Sequence, residues 1–244
     1  MKKISVVLLL LLSIQLNAKT NIEKKTIEFP SKDGLKITAD FYEVENAKGM
    51  ILLCHQAGYS RGEYLDTAKK INALGYSCLA IDQRSGNEVN GIENETAKRA
   101  NEKGLATNYI DAKQDVEAAI DFLYSRNNNR PILIVGSSYS ASLVLLVGND
   151  NDKVKAIAAF SPGEYLKGIN VTESIASMSK SIFVTSSRSE TPKVEKLIQG
   201  IDQQYVSHYK PIESGIHGSR GLWESTLGQD GYWKAFKSFL KDVN

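Results

Sequence analysis

The chain has 244 residues, of which 42% are hydrophobic and 24% charged, and its 30 Lys and Arg face 28 Asp and Glu for a formal net charge of +2. This is an ordinary globular composition. It argues against a nucleic-acid binder, which would carry a basic excess. Two Cys cannot build a disulfide-dense scaffold, and five Pro with 18 Gly are too few for a low-complexity chain.

Lys2 and Lys3 precede an apolar run from Ile4 to Leu12 that continues weakly to Leu16 and ends at Asn17-Ala18. A basic start, a short apolar stretch and a small residue predict a signal peptide over residues 1–18, cleaved after Ala18. The run is shorter than the roughly 20 apolar residues of a membrane span, so no stable membrane anchor is expected after cleavage. The expected location is secreted or periplasmic. Without Lys2 and Lys3 the chain carries 28 basic and 28 acidic residues, and such a balance does not steer a highly charged partner. Residues 19–244 contain no repeat, long linker or charge block and read as one domain.

Thr26 to Phe29 and Leu35 to Val44 flank Ser31-Lys32-Asp33-Gly34, and Asp-Gly between extended runs predicts a hairpin. Continuous apolar runs at Met50 to Cys54, Cys78 to Ile81, Ile132 to Val135 and Val154 to Phe160 fit strands buried on both faces. Ser181 to Thr185 and Tyr205 to Tyr209 read as later strands. Helical patterns lie between them, at Glu63 to Leu74, Tyr109 to Tyr124, Ala141 to Val147, Lys193 to Ile198 and Gly231 to Val243. The polar segment from Gln83 to Thr107 has room for a short helix around Glu95 to Lys103. Alternating strands and helices predict an α/β fold of three layers, with a mostly parallel central sheet and the opening hairpin as its antiparallel edge. Cys54 and Cys78 are expected as buried small side chains on neighbouring strands.

The segment Ile132-Leu133-Ile134-Val135-Gly136-Ser137-Ser138-Tyr139-Ser140-Ala141 runs from an apolar strand through small residues into an apolar helix. This is the context of a nucleophile elbow, G-x-S-x-G, with Ser140 in place of the final Gly and Ser138 at the apex. A sharp turn there lifts the Ser138 hydroxyl above the sheet edge, and the following helix aims backbone N–H groups at developing negative charge. A serine hydroxyl needs a neighbouring base, and the base needs an orienting carboxylate. The chain offers three His: His55, His208 and His217.

With this elbow, the opening hairpin, the His55-Gln56-Ala57-Gly58 loop and the late His217-Gly218, the chain resembles the α/β-hydrolase superfamily. It looks most like small members similar to dienelactone hydrolases and carboxylesterases. The resemblance covers nearly all of residues 19–244. It implies that His217, in the loop past the last strand, is the base, that His208 is a structural strand residue, and that His55 holds its loop. It places the acid after the seventh strand, at Glu190, or after the sixth, at Glu164. It implies an oxyanion site of backbone N–H groups, one from Tyr139 and one from Ala57, or from Gln56 if the loop is shifted by one.

Arg84, after the fourth strand, could bind a substrate carboxylate or pair with one of Glu88, Glu93 or Glu95. Tyr59, Tyr139 and Tyr165 could line a substrate pocket. About twenty residues between Ser161 and Lys180 leave room for only a small cap, so an open cleft is expected, suited to short esters or the ends of larger molecules. No metal-ligand spacing and no phosphate-cradling Gly loop is present, and no cofactor is expected. The expected activity is acyl transfer from a small-molecule or oligomer-end ester to Ser138, followed by hydrolysis of the acyl-enzyme. The alternatives are an amidase or peptidase with the same triad and a non-catalytic binding protein on the same fold.

Overall fold

The computed structural model describes residues 24–244; the expected signal segment, residues 1–18, lies outside the described residues. The described chain opens with an antiparallel hairpin, β1 (Lys24–Pro30) against β2 (Lys36–Tyr42). Gly34 closes its turn at φ +82°, a left-handed conformation that a Cβ disfavours. There follow β3 (Met50–Cys54), α1 (Leu65–Ala73), β4 (Ser77–Ile81), α2 (Glu95–Glu102) and α3 (Lys113–Arg126). The second half contains β5 (Ile132–Ser137), α4 (Tyr139–Gly148), β6 (Val154–Phe160) and α5 (Val171–Ser174). It ends with β7 (Ser181–Thr185), α6 (Thr191–Ile198), β8 (Val206–Tyr209) and α7 (Gln229–Asp242). The strands form one sheet in the order β1-β2-β4-β3-β5-β6-β7-β8. β2 is antiparallel to both of its neighbours, and every pairing from β4 to β8 is parallel.

The apolar strands reflect cover on both faces. In β3, Leu52 and Cys54 belong to one core layer with Val116 and Ile120 of α3, Leu143 of α4 and Val194 of α6. Ile51 and Leu53 belong to the other, with Ile71 of α1 and Trp233, Phe236 and Phe239 of α7. Phe183 packs at tilted angles against Phe160 and Phe236, and Phe160 meets Phe236 edge to face, which ties β6 and β7 to α7. The three expected layers are thus present, with the hairpin at one edge. Cys54 and Cys78 are buried free thiols that fall in different layers, on opposite faces of the sheet.

Some strand bounds differ from expectation by one or two residues, the four-residue α5 was not expected, and the remaining differences lie at helix ends. The helix expected from Glu63 begins as a tight 3-10 turn at Arg61–Tyr64, and the one expected from Tyr109 begins likewise at Tyr109–Ala112. The polar segment after β4 does hold a helix, α2, whose start is fixed by Asn94 Oδ1 accepting from Ala97 N at 2.8 Å. α4 begins at Tyr139 rather than Ala141, because Ser140 and Ser142 are buried with their hydroxyls satisfied: Ser140 Oγ donates to His55 O at 2.5 Å and Ser142 Oγ to Gly163 O at 2.6 Å.

Arg84 is not a substrate group, and its partners are none of Glu88, Glu93 and Glu95. It is only 2% exposed, and both edges of its guanidinium are taken. Nε and Nη2 donate to Asp115 of α3 at 3.0 and 2.7 Å, and Nη1 and Nη2 donate to Asp33 of the hairpin turn at 2.8 and 3.0 Å. Ser31 Oγ and the Arg84 N–H complete the shell of Asp115. The cluster rivets the hairpin turn to β4 and α3. Removing one partner of a buried pair strands the other charge, so Asp115→Ala is expected to cost about 3–5 kcal/mol in urea denaturation.

Candidate active site

Ser138 stands between β5 and α4 with φ +58° and ψ −123°. A non-glycine residue in that region stores on the order of 1–3 kcal/mol, and such strain clusters at functional sites. The turn is steric in origin. A Cβ on Gly136 would lie 2.3 Å from Ser140 O and 2.7 Å from Ala141 Cα, both backbone atoms that cannot step aside. Ser140, in the place of the motif's last Gly, is accommodated by the His55 bond above and by accepting from Gln83 Nε2 at 2.9 Å.

The three residues expected to act together do meet. His217 Nε2 lies 2.7 Å from Ser138 Oγ, and His217 Nδ1 lies 2.5 Å from Glu190 Oε1. Glu190 arrives through a short 3-10 turn, Arg188–Glu190, directly after β7, and His217 ends the loop after β8. The carboxylate on His217 is Glu190, not Glu164. Glu164 instead closes the start of α5, accepting from Val171 N at 2.8 Å, Thr172 N at 2.9 Å and Thr172 Oγ1 at 2.6 Å.

Glu190 is held as an anion. Burial alone would raise its carboxyl, but the hydrogen bonds from His217, Ser187 and Ser161 outweigh burial and hold it down at about 2. A folded-state value below the ordinary 4.5 means that this group stabilises the fold above pH 4.5. That contribution is lost as pH falls toward about 2. Urea melts of wild type and Glu190→Gln are therefore expected to differ most above pH 4.5 and to converge toward pH 2.

The other two His do not touch Ser138. His55 is fully buried, and burial pushes it down to about 4, so it is neutral at pH 7. Its Nδ1 lies 2.8 Å from Gln56 O and its Nε2 accepts from Gln83 N at 2.9 Å; these partners assign the proton to Nδ1. His55 thus fixes the loop after β3 to the loop after β4. His208 lies in β8, half-buried at the sheet edge.

Of the two candidate donors in the loop after β3, the Gln56 N–H is occupied: it donates to Glu63 Oε2 at 2.7 Å. The adjacent Ala57 N–H is not engaged by any described residue. Tyr139 is the first residue of α4, where a helical N–H has no partner four residues back. Glu63 carried no sequence signal beyond an acidic residue at a helix start. It is nevertheless 1% exposed, and burial raises its carboxyl. Its Oε1 accepts from Ser219 Oγ at 2.6 Å, so one buried carboxylate joins the loop after β3 to the loop that carries His217.

The three tyrosines separate. The Tyr139 ring is buried rather than lining a cleft: its hydroxyl donates to Ser85 O at 3.2 Å and accepts from Gln83 Nε2 at 3.0 Å. Tyr59 stacks on Trp223 with ring centroids 6.5 Å apart. Tyr165 is 36% exposed and, with Glu190, Val194 and Leu197, borders an open cavity of about 980 Å³ between the segment after β6 and α6.

A family model described as serine aminopeptidase, S33, a hydrolase family, matches residues 45–211, and the chain belongs to this family. No curated protein is significantly similar to it in sequence. Among solved structures, the Pyrococcus furiosus esterase Pf2001 superposes with a TM-score of 0.71 at 18% identity, over 91% of this chain and 94% of that one. A dienelactone hydrolase from Anabaena variabilis gives 0.68 at 13% identity, over 91% and 98%. The esterase domain of a Rhodothermus marinus protein gives 0.61 at 15% identity, over 91% and 98%. At these identities the likeness is one of fold, the α/β-hydrolase fold.

Proposed function

Starting from membership in that hydrolase family, we propose that the chain is a secreted or periplasmic serine hydrolase that cleaves a carboxylic ester. The observation that carries this reading is the unbroken array Ser138–His217–Glu190, with contacts of 2.7 and 2.5 Å, built on a strained elbow. In the proposed mechanism His217 Nε2 takes the Ser138 proton as Oγ attacks the acyl carbon, then returns it to the leaving alkoxide. Glu190 holds the Nδ1 proton and stabilises the imidazolium that forms. The N–H groups of Tyr139 and Ala57 are the proposed oxyanion donors, each worth a few kcal/mol in such sites. Water, activated by His217, then cleaves the acyl-enzyme. Tyr165 and Tyr59 are the proposed substrate contacts; the buried Arg84 is not.

An ester is preferred to an amide because residues 161–180 insert only the four-residue α5 between β6 and β7. That small insertion leaves an open cleft for short esters or the ends of larger molecules. The family's aminopeptidase description favours amides as the second reading. p-Nitrophenyl acetate and alanine p-nitroanilide separate them: the proposal expects turnover of the ester alone, and turnover of the anilide that disappears in Ser138→Ala would transfer the assignment to amide cleavage. The secreted location rests on residues 1–18 and is tested by the N-terminus of the protein recovered from its native host, expected at Lys19.

A further inference from the structure

We propose that Ser161 is a positioning residue for the Ser138–His217–Glu190 array: its hydroxyl joins the Glu190 carboxylate to the backbone of the residue after His217. This inference rests on the catalytic reading of that array. Ser161 directly follows β6 and is 1% exposed. Its Oγ donates to Glu190 Oε2 at 3.0 Å and accepts from Gly218 N at 2.9 Å. A single atom therefore spans the loop that carries the acid and the loop that carries the base.

The backbone singles out the same residue. Ser161 has φ +57°; apart from Ser138, the other non-glycine residues at positive φ among the described residues are all Asn, which tolerates that region. Glycine would adopt this conformation without strain, so the serine carries an energetic cost at the position where its hydroxyl makes both bonds. The strain is pinned by the end of β7, where Ser161 N donates to Thr185 O at 2.7 Å.

The loop being held has no slack. Gly218 sits at φ +75°, and a Cβ there would lie 2.5 Å from Ser137 Oγ and 2.6 Å from Gln56 Oε1. The next residue is tied as well, since Ser219 N donates to Ser137 Oγ at 2.8 Å. Consecutive N–H groups after His217 are thus fixed by Ser161 and Ser137. On the acid side, Glu190 Oε2 also accepts from Ser187 Oγ at 2.7 Å and Ser187 N at 3.1 Å. Titratable groups near Glu190 include His217, Tyr165 and Tyr232, and Glu164 and Lys193 border the same cavity.

The test is kcat/KM for p-nitrophenyl acetate against pH in wild type, Ser161→Ala, Ser161→Gly and Ser138→Ala. Activity in wild type that is absent from Ser138→Ala establishes the catalytic reading by itself. Both Ser161 variants are then expected to lose about 10-fold or more, the scale of a misplaced catalytic group. The acid limb of their profiles is expected at higher pH, because a Glu190 that has lost a donor concentrates its charge on His217. Ser161→Gly relieves the backbone strain and keeps the comparison in a folded protein. Wild-type kcat/KM and an unmoved acid limb in Ser161→Gly would overturn the proposal, as would a loss confined to Ser161→Ala, which would trace to the backbone rather than the hydroxyl. Full activity in Ser138→Ala would overturn the catalytic reading and this proposal with it.

Discussion

Ser138→Ala is expected to reduce ester hydrolysis to background, a loss on the order of 10⁶-fold, with the fold intact. The hydroxyl is the only atom removed, and nothing adjacent substitutes for it. Ser137 Oγ accepts from Ser219 N, Ser140 Oγ is bonded to His55 O, and Ser142 Oγ is bonded to Gly163 O. Stability provides an independent reading of the same residue. At φ +58° alanine keeps the strain that serine bears, whereas glycine releases it. Ser138→Gly is therefore expected to be about 1–2 kcal/mol more stable than Ser138→Ala in urea denaturation, and equally inactive. Equal stabilities would mean that the elbow is not strained in solution.

Glu190→Gln is expected to lower kcat by about 10³–10⁴-fold, while Glu164→Gln leaves it unchanged within about twofold. The reason is the tautomer. Glu190 accepts from Nδ1, which leaves Nε2 free to accept the Ser138 proton. A glutamine amide can donate to Nδ1 instead, which moves the ring proton to Nε2 and removes the base. Glu164 touches no part of this chain of bonds, and its loss acts on the start of α5, at a cost of about 1 kcal/mol. A steady-state assay of both variants checks the pair. A larger loss in Glu164→Gln would contradict the geometry.

Much of the fold was legible because its strands are short apolar runs between turn residues. β3 and β6 match the predicted bounds residue for residue, and Asp33-Gly34 marked the hairpin. β8, a short half-exposed strand at the sheet edge, was placed within one residue, at Tyr205 to Tyr209 against Val206–Tyr209. The start of α4 was hidden because the polar Ser140 there is satisfied by His55 O, 85 positions away. The same distance hid the role of Arg84. Its carboxylates, Asp33 and Asp115, lie 51 and 31 residues away, while the sequence draws attention to the nearer Glu88, Glu93 and Glu95.

At the site, Ser138, His217 and a short list of acids could be read from residue type and chain order. Distance from the end of β7 favours Glu190, with Glu164 as the alternative, and the geometry places Glu190 on His217 while Glu164 caps the start of α5. The supporting residues left no local trace. Glu63 looks like an ordinary acidic residue at a helix start, and Ser161 and Ser187 look like loop serines. Their roles exist only once the ends of β3, β5, β6 and β7 lie side by side in the parallel sheet.

The proposed chemistry requires Ser138 to be a nucleophile that His217 activates. Its most direct test is labelling of the purified protein, residues 19–244, by a fluorophosphonate, followed by peptide mapping. One adduct is expected, on Ser138, formed in wild type and absent from Ser138→Ala and His217→Ala. A folded wild type that takes no label, or takes it on another residue, would contradict it.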